Sequence, residues 1–204
     1  SVYNGGPNII KSLSSILNQT YKNFEVVIVN DGSTDDTDKK IDFLKELCFN
    51  INIVVLNQKN NSGLAKSLNL GLSKCKGEFI ARHDIDDFSR PKRLEKQVKF
   101  FLNHPKTDVL GTWSLLCDEY NYPVGINSFI RDNNSSIKKA LVNRETLFAH
   151  GSVMIKRKAL KEIGGYDERL IYTQDRELWS RFFVNNFNIR VLKSIEYEHT
   201  LNRI

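Results

Sequence analysis

The sequence is poor in cysteine, proline and glycine, and it has no long apolar run. Its three cysteines, Cys48, Cys75 and Cys117, lie far apart and form no CxxC pair. Such a sparse, odd set excludes a disulfide framework or a zinc knuckle and favours a reducing compartment. With 11 glycines and 4 prolines in 204 residues, the chain is neither collagen-like nor of low complexity. No apolar run approaches the roughly 20 residues of a membrane span, and no signal peptide is visible. We therefore expect a cytoplasmic protein.

The charge balance is positive, with 30 Lys and Arg against 24 Asp and Glu, a formal net charge of +6. Hydrophobic residues make up 40% of the chain and charged residues 26%, as in soluble globular proteins, and the length fits a single domain. The positive surplus suits nucleic acid, an anionic small molecule or an anionic membrane surface. The basic helices lack the interleaved aromatic residues of a single-strand binder and are most simply solvated faces, and the charge count alone does not decide among the three partners.

Apolar periodicity predicts alternating strands and helices through the first half of the chain. Short apolar runs predict strands over 24–29, 51–56, 78–82 and 109–116, and amphipathic stripes predict helices over 9–17, 41–47, 64–75 and 91–102. Crossovers of about a dozen residues or more between strands require a parallel sheet covered by helices. The second half is less regular: we expect a loop over 118–134, helices over 135–142, 159–163 and 175–185, and strands over 152–155 and 189–195.

Two polar turns follow predicted strands, over 30–34 and 84–87. Ligands of parallel sheets bind beyond the carboxyl ends of the strands, so both turns could line one crevice. The second turn holds Asp84, Asp86 and Asp87, whose charges repel one another without a cation. Carboxylate oxygens suit Mg²⁺ or Mn²⁺, which also bind phosphates. The alternative is a solvated turn that caps the next helix.

Other candidate residues are weaker one by one. Asp31 could accept hydrogen bonds from a base or a ribose, and the helix start near Lys66 offers amide donors and one positive charge to an anion. Asp175 opens another predicted helix, where it could be a general base or only an acid favoured by the helix dipole. His150 and His199 are isolated histidines that a structural role also explains.

Taken in order, the motifs resemble those of the family 2 glycosyltransferases, which have the GT-A fold. The resemblance covers nearly the whole chain, and its specificity comes from the ordered set rather than from any one motif. The matching segments are 2–5, 15–21, 29–35, 61–72, 77–82, 84–87, 91–95, 150–154, 164–168 and 174–179. Two positions depart from the usual pattern, since Gln174 stands for a glutamate and Asn30 for an aspartate.

The resemblance implies a role for each matching position. Near the nucleotide it implies Tyr3 and Asn4 in the first contacting turn, Asp31 reading the base, Lys66 as a basic neighbour and Asp84 on the ribose or the metal. It also implies Asp86 as the direct ligand of Mn²⁺ or Mg²⁺, Asp175 as the catalytic base and His199 as a further metal ligand.

The implied fold is α/β: a GT-A (Rossmann-like), mostly parallel central sheet flanked by helices, with a smaller acceptor-side portion. It would form one domain over 1–204, with a nucleotide-sugar half over 1–116 and an acceptor half over 117–204. We expect a first strand ahead of Ser1 and a C-terminal extension to lie outside this sequence.

The implied activity is a metal-dependent inverting transfer from a nucleoside-diphosphate sugar, with UDP as the expected nucleotide, to a hydroxyl of a glycan or lipid-linked acceptor. The pathway would be bacterial surface polysaccharide synthesis, at the cytoplasmic face of the inner membrane, with no nucleic acid partner. Three alternatives stay open. A sugar nucleotidyltransferase would need a triphosphate loop that the sequence does not show, and the others are a non-catalytic nucleotide-sugar-binding module and a nucleic-acid binder.

Overall fold

The computed structural model describes residues 1–48, 50–128 and 134–201. The helices and strands follow the predicted order closely. The helices are α1 (Ile9–Leu17), α2 (Thr37–Leu47), α3 (Leu64–Lys74), α4 (Arg93–Asn103), α5 (Asn134–Val142), α6 (Arg157–Ile163) and α7 (Gln174–Val184). The strands are β1 (Glu25–Asn30), β2 (Asn52–Asn57), β3 (Phe79–Ala81), β4 (Phe88–Ser89), β5 (Val109–Cys117), β6 (Pro123–Asn127), β7 (Met154–Lys156) and β8 (Ile189–Thr200).

The first half of the chain builds a parallel pair of strands covered by helices. β1 and β2 pair from Glu25 opposite Asn52 to Asn30 opposite Asn57, and the chain start adds one parallel bridge between Val2 and Asn30. The apolar faces of α1 and α2 bury their side chains against this pair. The buried cluster contains Val2, Ile9, Leu13, Leu17, Ile28, Ile41 and Leu44. The packing of this cluster fixes the end of β1, where the first polar turn begins.

A second, six-stranded sheet carries the rest of the site, in the order β3-β7-β5-β8-β4 with β6 paired to β5. The α/β class with a helix-flanked sheet is confirmed. The pairing is more mixed than the crossover argument predicted, because β5 and β8 run parallel while the other four pairs are antiparallel. Antiparallel strands need only a short connection, which suits the compact second half of the chain.

The expectation of a loop over 118–134 is wrong for part of that segment. Residues 123–127 form β6, whose Ile126 lies opposite Leu115 of β5. Pro123 is the first residue of this strand, a position where its missing N–H does not interrupt the ladder. Polar neighbours and this proline hid the strand from the apolar pattern. Residues 129–133 of the predicted loop lie outside the described residues.

A cavity of about 400 Å³ lies between the two sheets. β1 and β3 both line it, and each is paired along its length with only one other strand, β2 and β7 respectively. The remaining walls come largely from apolar side chains of α1, α3 and α4, such as Leu13, Leu68 and Val98. Neither Asp86 nor Asp175 lines it, whereas Arg82, His83 and Tyr166 do, so this cavity adjoins the polar site described below.

Within the described ranges, no helix combines the length and the apolar character that a bilayer crossing requires.

Candidate active site

The first turn is held against the end of β1. The amide of Val2 donates to the carbonyl of Val29 at 2.8 Å, and the amide of Asp31 donates to the carbonyl of Val2 at 2.8 Å. Asn4 has a left-handed backbone, with φ 50, and its Oδ1 accepts the amide of Thr34 at 2.9 Å. Tyr3 is half exposed. The predicted nucleotide residues Tyr3 and Asn4 therefore lie beside the turn that follows β1.

Asp31 lies buried between this turn and the loop before α3. Its Oδ1 accepts the side-chain amide of Gln58 at 2.8 Å and the backbone amide and hydroxyl of Ser62 at 2.8 and 3.0 Å. Its Oδ2 accepts the amide of Gly63 at 3.0 Å. Because each carboxylate oxygen has two lone pairs, Oδ2 keeps one acceptor position. Sequence reasoning gave Asp31 a role towards a ligand but did not reveal that it also fixes this loop.

Gly32 is required where this turn meets the loop. Its φ is 73, and a Cβ there would lie 2.5 Å from the backbone of Asn60. The close approach lets Asp31 reach the amides at 62–63, which then open α3. Lys66 stands exposed in the first turn of that helix.

The acidic turn follows β3, and its first carboxylate is paired. The Arg82 guanidinium forms an ion pair with Oδ1 of Asp84. Burial alone would raise the pKa of Asp84, but Arg82 and the neighbouring histidines lower that pKa to about 2. Asp84 is therefore a permanent anion at neutral pH. One of its oxygens, Oδ1, is engaged by Arg82.

His83, directly before Asp84, is a structural residue. Its ring lies between the hydroxyls of Ser12, at 2.8 Å, and Ser89, at 3.1 Å. Burial and the nearby Arg93 charge lower the pKa of His83 to about 3. The neutral ring thus ties the start of the acidic turn to α1 and β4.

The end of β8 holds the acidic turn from the other side. The amide of Asp84 donates to the hydroxyl of Tyr197 at 3.1 Å, and the hydroxyl of Thr200 donates to the carbonyl of Asp86 at 2.7 Å. Asp87 accepts the amide of Thr200 at 2.9 Å through Oδ1 and meets Nδ1 of His199 at 3.2 Å through Oδ2. These contacts span more than 110 residues of sequence, so no local pattern could have predicted them.

The predicted metal ligand His199 is brought to the turn by this strand. Its hydrogen bond to Asp87 raises the pKa of His199, against the opposing effect of burial. Asp87 itself is buried, and burial raises its pKa although the bond to His199 acts in the opposite direction. One ring nitrogen of His199 is thus committed to Asp87, which leaves Nε2 as the nitrogen that can face a ligand.

The 3₁₀ turn His150–Ser152 packs directly against the acidic turn. A Cβ on Gly151 would lie 1.9 Å from the Tyr197 hydroxyl and 2.7 Å from Oδ2 of Asp84, so only glycine fits. Nε2 of His150 lies 2.8 Å from the Tyr166 hydroxyl. Burial lowers the pKa of His150 to about 4, with a further contribution from Arg82. His150 is a neutral, half-buried residue, which agrees with the structural interpretation.

Asp175 lies in the first turn of α7, half buried. Across the residues that the structure describes, it has no hydrogen-bond or ion-pair partner. The charges of both Asp84 and Asp175 act on His150 and on Tyr166, so both carboxylates lie near this pair of side chains. Asp175 is therefore a carboxylate in the neighbourhood of the acidic turn that no described residue engages.

The start of α7 carries two unusual features. Thr173, which precedes the helix, has φ 60, a left-handed conformation that costs a β-branched residue free energy. The side chain of Gln174 is buried, and its Oε1 has no hydrogen-bond partner. Strain and unpaired polar atoms concentrate at functional sites, so both features support a functional role for this helix start.

The chemistry of the donor set fits a divalent cation shared with a substrate. In residues 1–48, 50–128 and 134–201, no three His, Cys, Asp or Glu side chains form a ready metal cluster. Magnesium in phosphate-binding sites commonly takes only one or two protein carboxylates and completes its shell with phosphate and water. Asp86 on the turn and Nε2 of His199 would supply two donors, and a diphosphate would supply the others.

The structure thus brings the predicted residues into two neighbouring groups. The first group is the turn after β1 with Asn4, Asp31 and Lys66. The second group is the acidic turn after β3 with His199 and Asp175. Gly5 links the two, because a Cβ there would lie 3.1 Å from Ile85 in the acidic turn. Sequence reasoning gave no individual role to Arg82, Gly151 or Tyr197 and treated Asp87 only as one of the acids. The local signal for Gly151 was its place in the His-Gly-Ser segment within 150–154, one of the matching motifs.

Comparison with known proteins identifies relatives across most of the chain. A family model described as glycosyl transferase family 2 matches residues 1–164. The chain is 36% identical over 190 residues to the putative glycosyltransferase EpsE of Bacillus subtilis, covering 91% of this chain and 66% of that protein. It is 34% identical over 184 residues to the O-antigen biosynthesis glycosyltransferase WbnJ of Escherichia coli, covering 88% and 68% respectively.

A solved structure has the same fold. The Staphylococcus aureus TarS fragment 1–349, in complex with UDP, superposes with a TM-score of 0.79 at 25% sequence identity. The match covers 98% of this chain and 59% of the TarS chain. This chain therefore spans about two thirds or less of the length of EpsE and TarS.

Proposed function

The chain belongs to glycosyl transferase family 2 and has the GT-A fold, and from that premise we propose that it transfers a sugar from a nucleoside-diphosphate sugar to an acceptor hydroxyl, with inversion at the anomeric carbon. The observation that carries the proposal is the position of Asp175. Its carboxylate has no hydrogen-bond or ion-pair partner among the described residues, and its charge acts on the same two residues, His150 and Tyr166, as the charge of Asp84 in the acidic turn.

The donor nucleotide would lie on the turns that follow β1 and β3. Tyr3 and Asn4 would contact it from the first turn, and Asp31 would use its remaining lone pair to accept from the base. Lys66 adds a positive charge near the phosphates, and Asp84 would accept from a ribose hydroxyl. UDP is the nucleotide that we propose, supported by the UDP complex of TarS; the donor half would be residues 1–116.

A divalent cation, Mn²⁺ or Mg²⁺, would be held by Asp86 and His199 together with the diphosphate. When bound, it neutralises charge that develops on the leaving nucleoside diphosphate. The contribution of this chain is to hold those two donors in place through β8, so that the diphosphate is oriented with its sugar towards Asp175.

Asp175 would act as the general base. It would take the proton of the acceptor hydroxyl while that oxygen attacks the anomeric carbon from the face opposite the leaving group. General-base assistance typically contributes about 10²–10⁴-fold in rate. Fixing both substrates in one crevice removes much of the entropic cost of bringing them together.

The acceptor would be a glycan or a lipid-linked sugar in surface polysaccharide synthesis, and it would lie against residues 117–204. The similarity to WbnJ supports this class. The net charge of +6 supports contact with an anionic acceptor or with the anionic face of the inner membrane.

The test begins with the donor. Thermal shift assays with UDP, GDP and a panel of their sugar derivatives, each with Mn²⁺, with Mg²⁺ and with EDTA, identify the nucleotide that stabilises the fold by mass action. We expect UDP derivatives with a divalent cation to raise the melting temperature most. Equal stabilisation with and without EDTA would contradict the metal assignment.

Asp175→Asn then tests the base. This variant should keep the donor affinity and lose transfer by about 10²-fold or more, measured as release of UDP from the selected donor in the presence of a panel of glycan and lipid-linked acceptors. Asp42→Asn, on the exposed face of α2, is the matched control and should retain turnover. Unchanged turnover in Asp175→Asn would refute the assignment.

A further inference from the structure

Asp87 is the one acid of the Asp-Ile-Asp-Asp turn for which the resemblance gave no role. Its side chain is completely buried, so it does not reach the crevice as a ligand. Its two oxygens are each used once: Oδ1 accepts the amide of Thr200 at 2.9 Å, and Oδ2 meets Nδ1 of His199 at 3.2 Å. A buried carboxyl group with two fixed partners is a positioning element, and the question is what it positions.

The contact with His199 has a direct chemical consequence. An ionised carboxylate only accepts hydrogen bonds, so the ring nitrogen that faces it must carry a proton. In the neutral imidazole the other nitrogen, Nε2, is then unprotonated and has its lone pair free. Metal-binding histidines are commonly fixed in this way, with the second ring nitrogen donating to a carboxylate.

We propose that Asp87 is a positioning residue that holds His199 in the Nδ1–H tautomer, so that the lone pair of Nε2 faces the cation and diphosphate site. The inference rests on the proposed function, since it assigns a purpose to the same site. It adds a residue that acts through His199 and never touches the substrate.

The backbone explains why the pair is well defined. Thr200 donates its amide to the Asp87 carboxylate and its hydroxyl to the carbonyl of Asp86 at 2.7 Å. These two hydrogen bonds hold the end of β8 against the acidic turn. β8 also pairs along β5, with His199 opposite Leu116. The ring of His199 therefore extends from a strand anchored on both sides, and Asp87 sets the remaining freedom, which is the orientation of the ring and its protonated nitrogen.

Asp87→Asn is a selective test of this arrangement. The amide oxygen of asparagine must accept the amide of Thr200, because the NH₂ group cannot. The NH₂ group then faces Nδ1 of His199 and donates to it, which forces the proton onto Nε2. The substitution keeps the size of the side chain and both hydrogen bonds, but it reverses the tautomer and removes the lone pair from Nε2.

The first measurement needs neither metal nor substrate. Long-range ¹⁵N–¹H spectra of the imidazole rings at mildly alkaline pH report which nitrogen is protonated, and His199→Gln assigns the signals. We expect Nδ1–H in the unsubstituted protein and Nε2–H in Asp87→Asn. The Nε2–H tautomer in the unsubstituted protein would overturn the proposal, even if Asp87→Asn failed to fold.

The second measurement is Mn²⁺ binding in the presence of UDP, followed by electron paramagnetic resonance. Asp87→Asn should weaken the affinity by about 10–100-fold, and His199→Gln by a similar factor. The double variant should be no weaker than His199→Gln, because Asp87 acts through that ring. Equal affinity in Asp87→Asn, or an added loss in the double variant, would refute the positioning role.

Asp86→Asn separates this inference from the function on which it rests. Loss of Mn²⁺ affinity in Asp86→Asn but not in Asp87→Asn would refute the inference and leave the metal site in place. Unchanged affinity in Asp86→Asn would refute the metal part of the proposed function itself. His104→Gln, on an exposed residue at the end of α4, is the control that should bind Mn²⁺ as the unsubstituted protein does.

Discussion

Several single residues in this protein fix the positions of neighbouring side chains by close packing. Gly151 has no side chain to contribute, yet its backbone lies where any Cβ would displace the Tyr197 hydroxyl and Asp84. Tyr197 in turn accepts the amide of Asp84 and stacks its ring under Arg93, with 4.9 Å between the guanidinium and the ring centroid. The geometry of the acidic turn therefore depends on the packing of Gly151 and Tyr197 behind it.

Gly151→Ala tests this dependence. The added methyl group should force Tyr197 and Asp84 apart, with a loss of stability of about 1–3 kcal/mol, as in overpacked cores. It should also weaken UDP binding, since Asp84 moves. Thermal unfolding and a UDP titration measure both effects. Gly125→Ala is the control, because the nearest atom to a Cβ there is Leu116 at 3.7 Å; equal behaviour of the two variants would contradict the close-packing argument.

His150 predicts a pH dependence of stability. Its pKa in the folded protein is about 4, below the ordinary 6.5, so the unfolded chain takes up the proton first as the pH falls. Stability from this group is therefore complete above pH 6.5 and is lost as the pH falls from 6.5 towards 4. Because the unfolded chain binds this proton more tightly, the free energy of unfolding should fall by about 2 kcal/mol between neutral pH and pH about 5.

Urea unfolding at the two pH values checks this prediction. His150→Gln should remove that part of the acid sensitivity, whereas His104→Gln should not. If the free energy of unfolding of His150→Gln falls by the same amount between the two pH values, the His150 ring is not the source of this acid sensitivity.

At the scale of the elements, local patterns were reliable where the partners are near in sequence. The stripe Ile9, Leu13 and Leu17 predicted α1, and the apolar run before Asn30 predicted β1; both are observed. The pairing of β8 with the acidic turn could not be predicted, because it joins residues more than 110 positions apart. Sequence placed Asp86 and His199 as candidates, and only the fold brought the second to the turn of the first.

The backbone is strained at the start of α7, where Thr173 has a left-handed conformation with φ 60. Thr173→Asn should stabilise the protein by about 1 kcal/mol, since asparagine adopts φ 60 at lower cost than a β-branched residue. Thr173→Val keeps the branching and should give no gain. Chemical denaturation of both variants measures the difference. If Thr173→Asn is no more stable than Thr173→Val, the left-handed conformation is not a source of strain.

At the scale of the whole molecule, the central cavity divides one expected sheet into two. In the part of the chain that the structure describes, β1 and β3 each lie at an end of their sheet, and both line this cavity. The expectation of a strand ahead of Ser1 stays a prediction.

An apolar β segment of six residues, the length of β1, fused ahead of Ser1 provides the measurement. If it fills the cavity, it should raise the free energy of unfolding by several kcal/mol, because each buried Val or Ile side chain contributes about 1.5–3 kcal/mol. A glycine–serine extension of equal length is the control. Equal melting temperatures for the two fusions would exclude strand insertion.

The cavity also affects how copies of this chain behave towards one another. Unpaired strand edges are templates for strand addition, and proteins usually cover or charge them to avoid self-association. Here β1 and β3 each lie at an end of their sheet within the described residues and border the same apolar space, so an extended segment of another molecule could pair with one of these strands. Concentrated solutions of residues 1–204 would then form oligomers through exchanged strands, and a short apolar peptide added in excess would compete with that exchange.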